Sequence, residues 1–497
     1  MADLVISDPL RAYEAALEAL SLHSSDLSAQ HQAVLALARM GSLDFALAEY
    51  DRLGLDKIRN HEDVQALGAR LLKDLYQRGA ALYTLRYARK SAKKYQQAFD
   101  DSQGYYSGVN AATMALLSDA PYADIVTQAD AVLSLLPAPD DLSPEEHYFI
   151  EATRAECLLL KGKISSAKDI LRQAVAFDPL NYLAHASTLR QFRLIIKKQS
   201  GDQNWLSALT PPRPIHFAGH LWDDDIQIDQ DLPTQLADII QEYDIGFGYG
   251  ALAAGADILI AEALLREGAE LNVILPEPVD QFVERSVRPY GTGWIARFET
   301  CVDQAKSILS LPRLRPGQSQ AQTVLAAHMA MGKAILRGDQ LGSDPQQLLI
   351  QDLGRTSSMT TRLKADWIET DRVSHSVPQS LPRTSTPNTM PDADMLRLCL
   401  MRIGDDHVDT YDDIDNALRA ANIASEARVA LHYHLSGAEA ELRTILRATR
   451  SPGLFVSEAV AMEIALNRRE SYEVIFAGLA KSDSGSVRIY QLQSKKR

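Results

Sequence analysis

The sequence predicts a multidomain fold in three parts: an N-terminal α-solenoid, a central α/β domain on a parallel sheet, and a small C-terminal α+β domain. Three observations predict it. Residues 8–200 hold a helical apolar period, rich in Ala and Leu with few β-branched runs. From Pro214 onward, short apolar runs alternate with segments of helix length. A Pro-, Ser- and Thr-rich linker, 379–394, then sets off a last region of strands and helices at 395–497. A length of 497 residues fits this division, since single hydrophobic cores stop growing well below it.

Within the solenoid, 1–200, one spacing of small and apolar residues recurs. Val34, Leu37, Gly41, Ala46 and Tyr50 share offsets with the series Ala155, Leu158, Gly162, Ala167, Leu171, Ala174 and Pro179. Ala111, Met114, Ser118 and Ala123 repeat the intervals between them. Small residues let two antiparallel helices approach, Gly or Ser turns the chain, and Pro ends the second helix, which is tetratricopeptide logic. Stacked units of this kind form a groove. Two readings of it stand: a site for a peptide or protein partner, or a packing scaffold for the next domain. Tyr105 and Tyr106 either line the groove or join the core, and Asn110 is either a helix cap or a buried hydrogen-bonding residue. The segment KKQSGDQNWLSALTPPRP loses the apolar period, which places a linker at 201–213.

The central domain, 214–378, reads as strands at Ile215–Phe217, Ile245–Tyr249, Leu271–Leu275, Leu348–Gln351 and Arg372–Val377. Helices are expected at 232–242, 256–267, 294–309, 322–336 and 357–368. Strands separated by helices of that length form a parallel sheet covered on both faces, and ligands sit beyond its strand C-terminal ends. Gly219, His220 and Gly250 fall at such ends, and Gly255 opens the following helix. No GxxxxGK[ST] is present, and Gly246, Gly248 and Gly250 lie in or at the end of a strand, so neither a P-loop nor a dinucleotide fingerprint is formed. The candidate ligand-binding residues are Gly219, His220, Gly248, Gly250, Gly255, Asp257, Glu262 and Ser286. Asp257 either caps the helix or accepts ligand hydroxyls, Glu262 either enters a pocket or stays solvated, and Ser286 and Arg297 are candidate phosphate contacts. Were the domain an enzyme cleaving an N-glycosidic or phosphate bond of a nucleotide, Glu262 or Asp257 would be the carboxylate that stabilises the developing positive charge, with Glu262 the first candidate.

AGHLWD, GYGALAAGADILIAEALLREGAELNVILPEPVDQFVERSV and WIARFETCVDQA resemble the SLOG-like domain, a Rossmannoid nucleotide-sensing superfamily found after tetratricopeptide repeats in bacterial signalling proteins. YYSGVNAAT resembles a motif of the helical region that precedes it. The resemblance implies a Rossmann-like sheet binding a nucleotide or nucleotide-derived ligand. Ala254 stands where the family has Cys, and Trp222–Asp225 replaces a basic run, which places an acidic rim at that edge.

The C-terminal runs ARVALHYHLSG, SPGLFVSEAVAMEIAL, FAGLAK and VRIYQL resemble the second half of class III nucleotidyl cyclases. Those enzymes hold two metal ions with two carboxylates. Here one such place survives, Gly404–Asp406, and Ile445 stands where the family carries a transition-state Arg, so the resemblance implies a degenerate, inactive module. Because cyclase domains work as pairs, it also implies dimerisation, a homodimer, or a regulatory role. His432 and His434 are expected on one strand face, with too few neighbours for zinc.

Composition narrows the partners. A net charge of −14 argues against a nucleic-acid surface, and only Lys495–Arg497 is a basic run, read as a solvated tail. Cys157, Cys301 and Cys399 lie too far apart for a CxxC site, no apolar run approaches a membrane span, and the N-terminus lacks a secretory signal. The expectation is a cytoplasmic signalling or regulatory protein with no metal and no cofactor.

Overall fold

The computed structural model describes residues 9–495, apart from 60, 80–83, 139–141, 226–228, 313–318, 353–358, 380–395, 405–406, 424–426, 436 and 483–484. The chain divides into two units, 1–211 with 340–342, and 212–339 with 343–497.

The regular structure of residues 9–211 is helical. It comprises α1 (Pro9–Leu22), α2 (Leu27–Arg39), α3 (Leu43–Arg52), α4 (Glu62–Gln77), α5 (Thr84–Ser102), α6 (Tyr105–Leu117), α7 (Tyr122–Leu135), α8 (Pro144–Leu160), α9 (Ile164–Phe177) and α10 (Tyr182–Lys198). The repeated glycines turn the chain between paired helices. Gly41 and Gly162 have φ of 78° and 72°, and the next N–H in each case reaches back to Leu37 or Leu158. The equivalent bond in the middle pair runs from Ala120 to Ala115, around Asp119 at φ 64°. Its register therefore sits one residue beyond the Met114 and Ser118 spacing. In the next helix Ile125, Ala129 and Val132 are buried while Ala123 is exposed. Ala46 and Ala167 are buried at the approach of their helices, as the spacing requires.

The second unit opens with β1 (Arg213–Gly219), α11 (Leu232–Glu242), β2 (Ile245–Gly250), α12 (Ala256–Arg266), β3 (Glu270–Leu275), α13 (Val279–Ser286), α14 (Gly293–Gln304), β4 (Ser307–Ser310), α15 (Ser319–Leu341), β5 (Gln346–Asp352), α16 (Met359–Ile368) and β6 (Ser374–Gln379). Its strand order is β4-β3-β2-β1-β5-β6, with every pair parallel. The chain winds outward from β1 to β4 and then returns to the other side of β1, so the winding switches between β1 and β5. Alternation along β1 sends Ile215 and Phe217 into a core with α11, α12 and α14, and Ala218 toward Met331, Leu363 and Trp367 of α15 and α16. One strand departs from expectation. The helix expected to 309 stops at Gln304, and β4 follows as an edge strand paired only with β3. Its single apolar pair, Ile308 and Leu309, is too short to show a strand period.

The remaining elements are β7 (Leu398–Arg402), β8 (Asp409–Tyr411), α17 (Ile414–Ile423), β9 (Arg428–Tyr433), α18 (Ala438–Ala448), β10 (Gly453–Ser457), α19 (Glu458–Asn467), β11 (Tyr472–Ser482) and β12 (Gly485–Ser494). They form a mixed sheet of order β11-β12-β10-β9-β7-β8, in which only β9 and β10 run parallel. His432 lies one residue before the end of β9 and hydrogen-bonds the Ser457 hydroxyl through Nδ1 at 2.7 Å, whereas His434 lies past the strand and donates its backbone N–H to the Arg397 carbonyl. The two histidines therefore do not share a strand face. Asp405 and Asp406 lie outside the described residues.

The two sheets of this unit meet through α15 and α19. Gly332 lets the helices touch, since a Cβ there would stand 2.4 Å from the Met462 carbonyl oxygen. Around that contact His328 bridges Glu463 and Asp366, each at 3.0 Å, and Arg469 pairs with Asp339 at 2.5 Å. Glu458 takes both Lys333 and Arg488.

Candidate functional site

Ligands of open parallel sheets bind beyond the strand C-terminal ends where the winding switches, which here means the end of β1. Sequence chemistry shapes that end by removing side chains. A Cβ on Gly219 would stand 2.1 Å from the Ala256 Cβ, and one on Gly250 would stand 2.5 Å from the Phe217 carbonyl oxygen. Gly255 has φ of 99°, which a side chain rarely tolerates, and a Cβ there would meet the His220 carbonyl at 2.8 Å. The loop after β2 is thus pressed onto the end of β1, and an isolated antiparallel bridge joins Leu221 to Gly255.

Asp257 locks this arrangement from the first turn of α12. Its Oδ1 accepts the Gly219 N–H at 2.9 Å and its Oδ2 accepts the Ala253 N–H at 3.2 Å. The side chain caps no N–H of its own helix; it ties the loop to β1. Burial pushes its pKa up to about 7, against the two N–H donors that favour the charged form. Nearby, the His220 carbonyl accepts the Ala256 N–H at 3.1 Å and the Ser286 carbonyl accepts the Ala254 N–H at 2.9 Å. Gly219, His220, Gly250, Gly255, Asp257 and Ser286 are therefore brought into one loop cluster. The N–H groups of Gly219, Ala253, Ala254 and Ala256 are all engaged by protein acceptors, so this loop is organised internally.

Two expected residues stand elsewhere. Gly248 lies within β2 under α12, where a Cβ would meet Leu264 Cδ1 at 2.4 Å, so its glycine serves packing between helix and sheet. Glu262 lies further along α12, and its carboxylate is held by Arg297 of α14 in a two-point pair at 2.7 and 2.5 Å. Arg297 in turn covers the Trp294 ring at 4.3 Å. The two residues singled out separately for ligand chemistry meet each other.

The acidic turn after β1 also has an internal task that its sequence did not reveal. Asp224 accepts the Gly293 N–H at 3.0 Å at the start of α14, and its own N–H donates to Tyr290 at 2.8 Å. Trp222 beside it is buried. At the β3 end, a depression of about 630 Å³ is lined by Glu277, Asp280, Gln281, Val283, Glu284 and Arg288. Two of its carboxylates are already paired, Glu277 with Arg285 at 2.6 Å and Glu284 with Arg288 at 2.8 Å.

In the C-terminal sheet Ile445 is buried on α18. Among the described residues no three His, Cys, Asp or Glu are grouped to hold a metal ion, and no helix is long and apolar enough to cross a membrane.

A family model described as Tetratricopeptide Repeats-Sensor matches residues 9–115, from α1 through most of α6. No curated protein matches the chain. Among solved structures the chain is similar to a Thermobaculum terrenum O-GlcNAc transferase mutant at 10% identity, with 65% of this chain and 60% of that chain covered and a TM-score of 0.19. The match spans less than two thirds of that chain, and at this score nothing of its fold or activity transfers. The protein carries an N-terminal tetratricopeptide-repeat region, which supports a regulatory or protein-binding role.

Proposed function

We propose that the protein is a regulatory scaffold whose central parallel sheet holds a nucleotide or nucleotide-derived ligand without turning it over. The helical array takes a protein partner, and the C-terminal sheet is a cyclase-like module without catalysis. The observation that carries the reading is the loop cluster at the β1 end, where close glycine backbones and Asp257 fix a preformed edge at the switch point. Beside that edge the Asp223–Asp225 turn forms an acidic rim. Such a rim favours the hydroxyl and amine donors of a ribose and base, with the phosphate turned outward.

Absence of turnover follows from Glu262. A carboxylate bound at two points to Arg297 has its charge spent on that pair, and Asp257 is committed to two backbone donors. The test is a nucleotide panel read by thermal shift and by chromatography of the recovered ligand. At least one nucleotide should raise Tm and be recovered intact. Glu262→Gln should keep that binding and change stability by about 1 kcal/mol or less, as expected of a half-exposed pair. Release of free base or phosphate, abolished by Glu262→Gln, would establish the enzymatic alternative instead. No shift with any nucleotide would remove both and leave a protein-binding scaffold.

A further inference from the structure

A buried polar chain runs through the helical array and ends in a cluster of cations. Thr113 of α6 donates to Glu156 Oε1 of α8 at 2.6 Å, and the Gln191 amide of α10 donates to the same oxygen at 2.8 Å and to Asn110 Oδ1 at 3.2 Å. Lys73 of α4 closes the chain, donating to Asn110 Oδ1 at 2.9 Å and Gln191 Oε1 at 3.1 Å. Asn110, Thr113, Glu156 and Gln191 are all buried, which settles Asn110 as a hydrogen-bonding residue and not a cap.

One turn before Lys73, on the same helix face, stands Arg70. Its Nε is buried with no hydrogen-bond partner, its guanidinium is hydrogen-bonded to Tyr106, and the Asp74 carboxylate is 3.8 Å away. After burial, Arg70 is the largest influence lowering Arg39 of α2 to about 10, Lys73 to about 8, and Arg190 of α10 in the same direction. Arg39 and Arg190 thus feel the charge of Arg70, and Lys73 stands one turn from it on the same helix. The carboxylates facing them are Asp74 and Glu156, with Glu145 touching the field of Arg39. Tyr106, 36% exposed, stands beside Arg70, and Lys73 lies over the Tyr95 ring at 5.9 Å. In a chain of net charge −14, such a concentration of positive charge requires an explanation beyond solubility.

We propose that this cationic pocket of the helical array is a receptor site for a compact phosphorylated anion, with Arg70 and Lys73 as its main contacts. A phosphate monoester carries roughly −1.5 to −2 charge at neutral pH and three acceptor oxygens, which suits Arg70 and Lys73 one turn apart on one helix face. Arg70 supplies a planar fork and Lys73 a point charge, the two complementary ways of holding phosphate. The exposed Tyr106 ring offers a stacking surface to a base or sugar attached to it. An extended acidic peptide would instead need its contacts spread along the groove, and the cations are gathered at one place.

The test uses the full chain and inorganic pyrophosphate as probe, with binding followed by calorimetry at low and high salt. Saturable binding is expected, weakening with salt, and about tenfold or more weaker in both Arg70→Gln and Lys73→Met. Lys73→Met disturbs the buried chain and Arg70→Gln removes the Tyr106 hydrogen bond and the charge facing Asp74, so a melting curve accompanies both, and Arg70→Lys, which keeps the charge, carries the test if either fails to fold. Lack of pyrophosphate binding, or binding unaltered in Arg70→Gln, overturns the proposal. So does an acidic peptide that binds this site when pyrophosphate does not.

Discussion

Raising the pH from about 6.5 through about 9 will destabilise the second unit, and His328→Gln will flatten that dependence. Burial alone would lower the His328 pKa, yet the hydrogen bonds its ring donates to Asp366 and Glu463, and then their charges, raise it to about 9. The folded state therefore holds a proton that the unfolded chain releases near 6.5. That stabilisation is complete below the unfolded value and is lost as pH rises through the folded one. Each pKa unit corresponds to about 1.4 kcal/mol, so the loss should reach roughly 3 kcal/mol. On the acid side Glu463 works in the opposite sense. Burial would raise its pKa, but His328 holds it below the usual carboxylate range, so its contribution is present above about 4.5 and fades as pH falls further. Asp257, raised to about 7, adds a loss of its own as pH rises toward that value, so the His328 contribution is read as the difference between urea melts of the native chain and of His328→Gln, which should shrink as pH rises from about 6.5 through about 9. A difference that stays constant over that range would show that the His328 bridge carries no charge.

Gly332→Val will separate the two sheets of the second unit. At 2.4 Å from the Met462 carbonyl, the new Cβ meets backbone, which cannot swing aside as a side chain can. Overpacking of this kind typically costs about 1–3 kcal/mol, and contact between two helix backbones puts the variant at or above the top of that range. The same shift would pull His328 from Glu463 and Lys333 from Glu458, adding the penalty of buried charges left without partners. Calorimetry should then resolve two transitions where the native chain is expected to show the two sheets unfolding together. A single transition at unchanged temperature would mean that α15 and α19 are not joined here.

The sequence made most of the parallel sheet legible because its elements are punctuated. Pro233 and Asp244 bracket α11, and the expected bounds 232–242 are those observed. Period and punctuation act locally, and they failed where a strand was short and exposed, as in β4. They also failed where one residue of slip was absorbed by a left-handed Asp119 in place of glycine. The site was legible in part for the same reason. Glycines at strand ends announced close approach, but Gly248 looked the same in sequence and packs against Leu264. What pairs with what was out of reach. Glu262 meets Arg297 35 residues on, Lys73 meets Gln191 118 residues on, and His328 meets Glu463 135 residues on. No spacing rule links such positions, because the sheet winding and the stacking of helices bring them together.

Hydrogen exchange on the full chain, with and without the nucleotide that gives the largest thermal shift, tests the switch-point crevice most directly. Slowed exchange is expected at 218–222 and 250–257, where the loop after β2 is pressed onto the end of β1. Exchange unchanged in both segments while nucleotide is bound, or protection confined to other parts of the chain, would contradict a nucleotide site on this sheet.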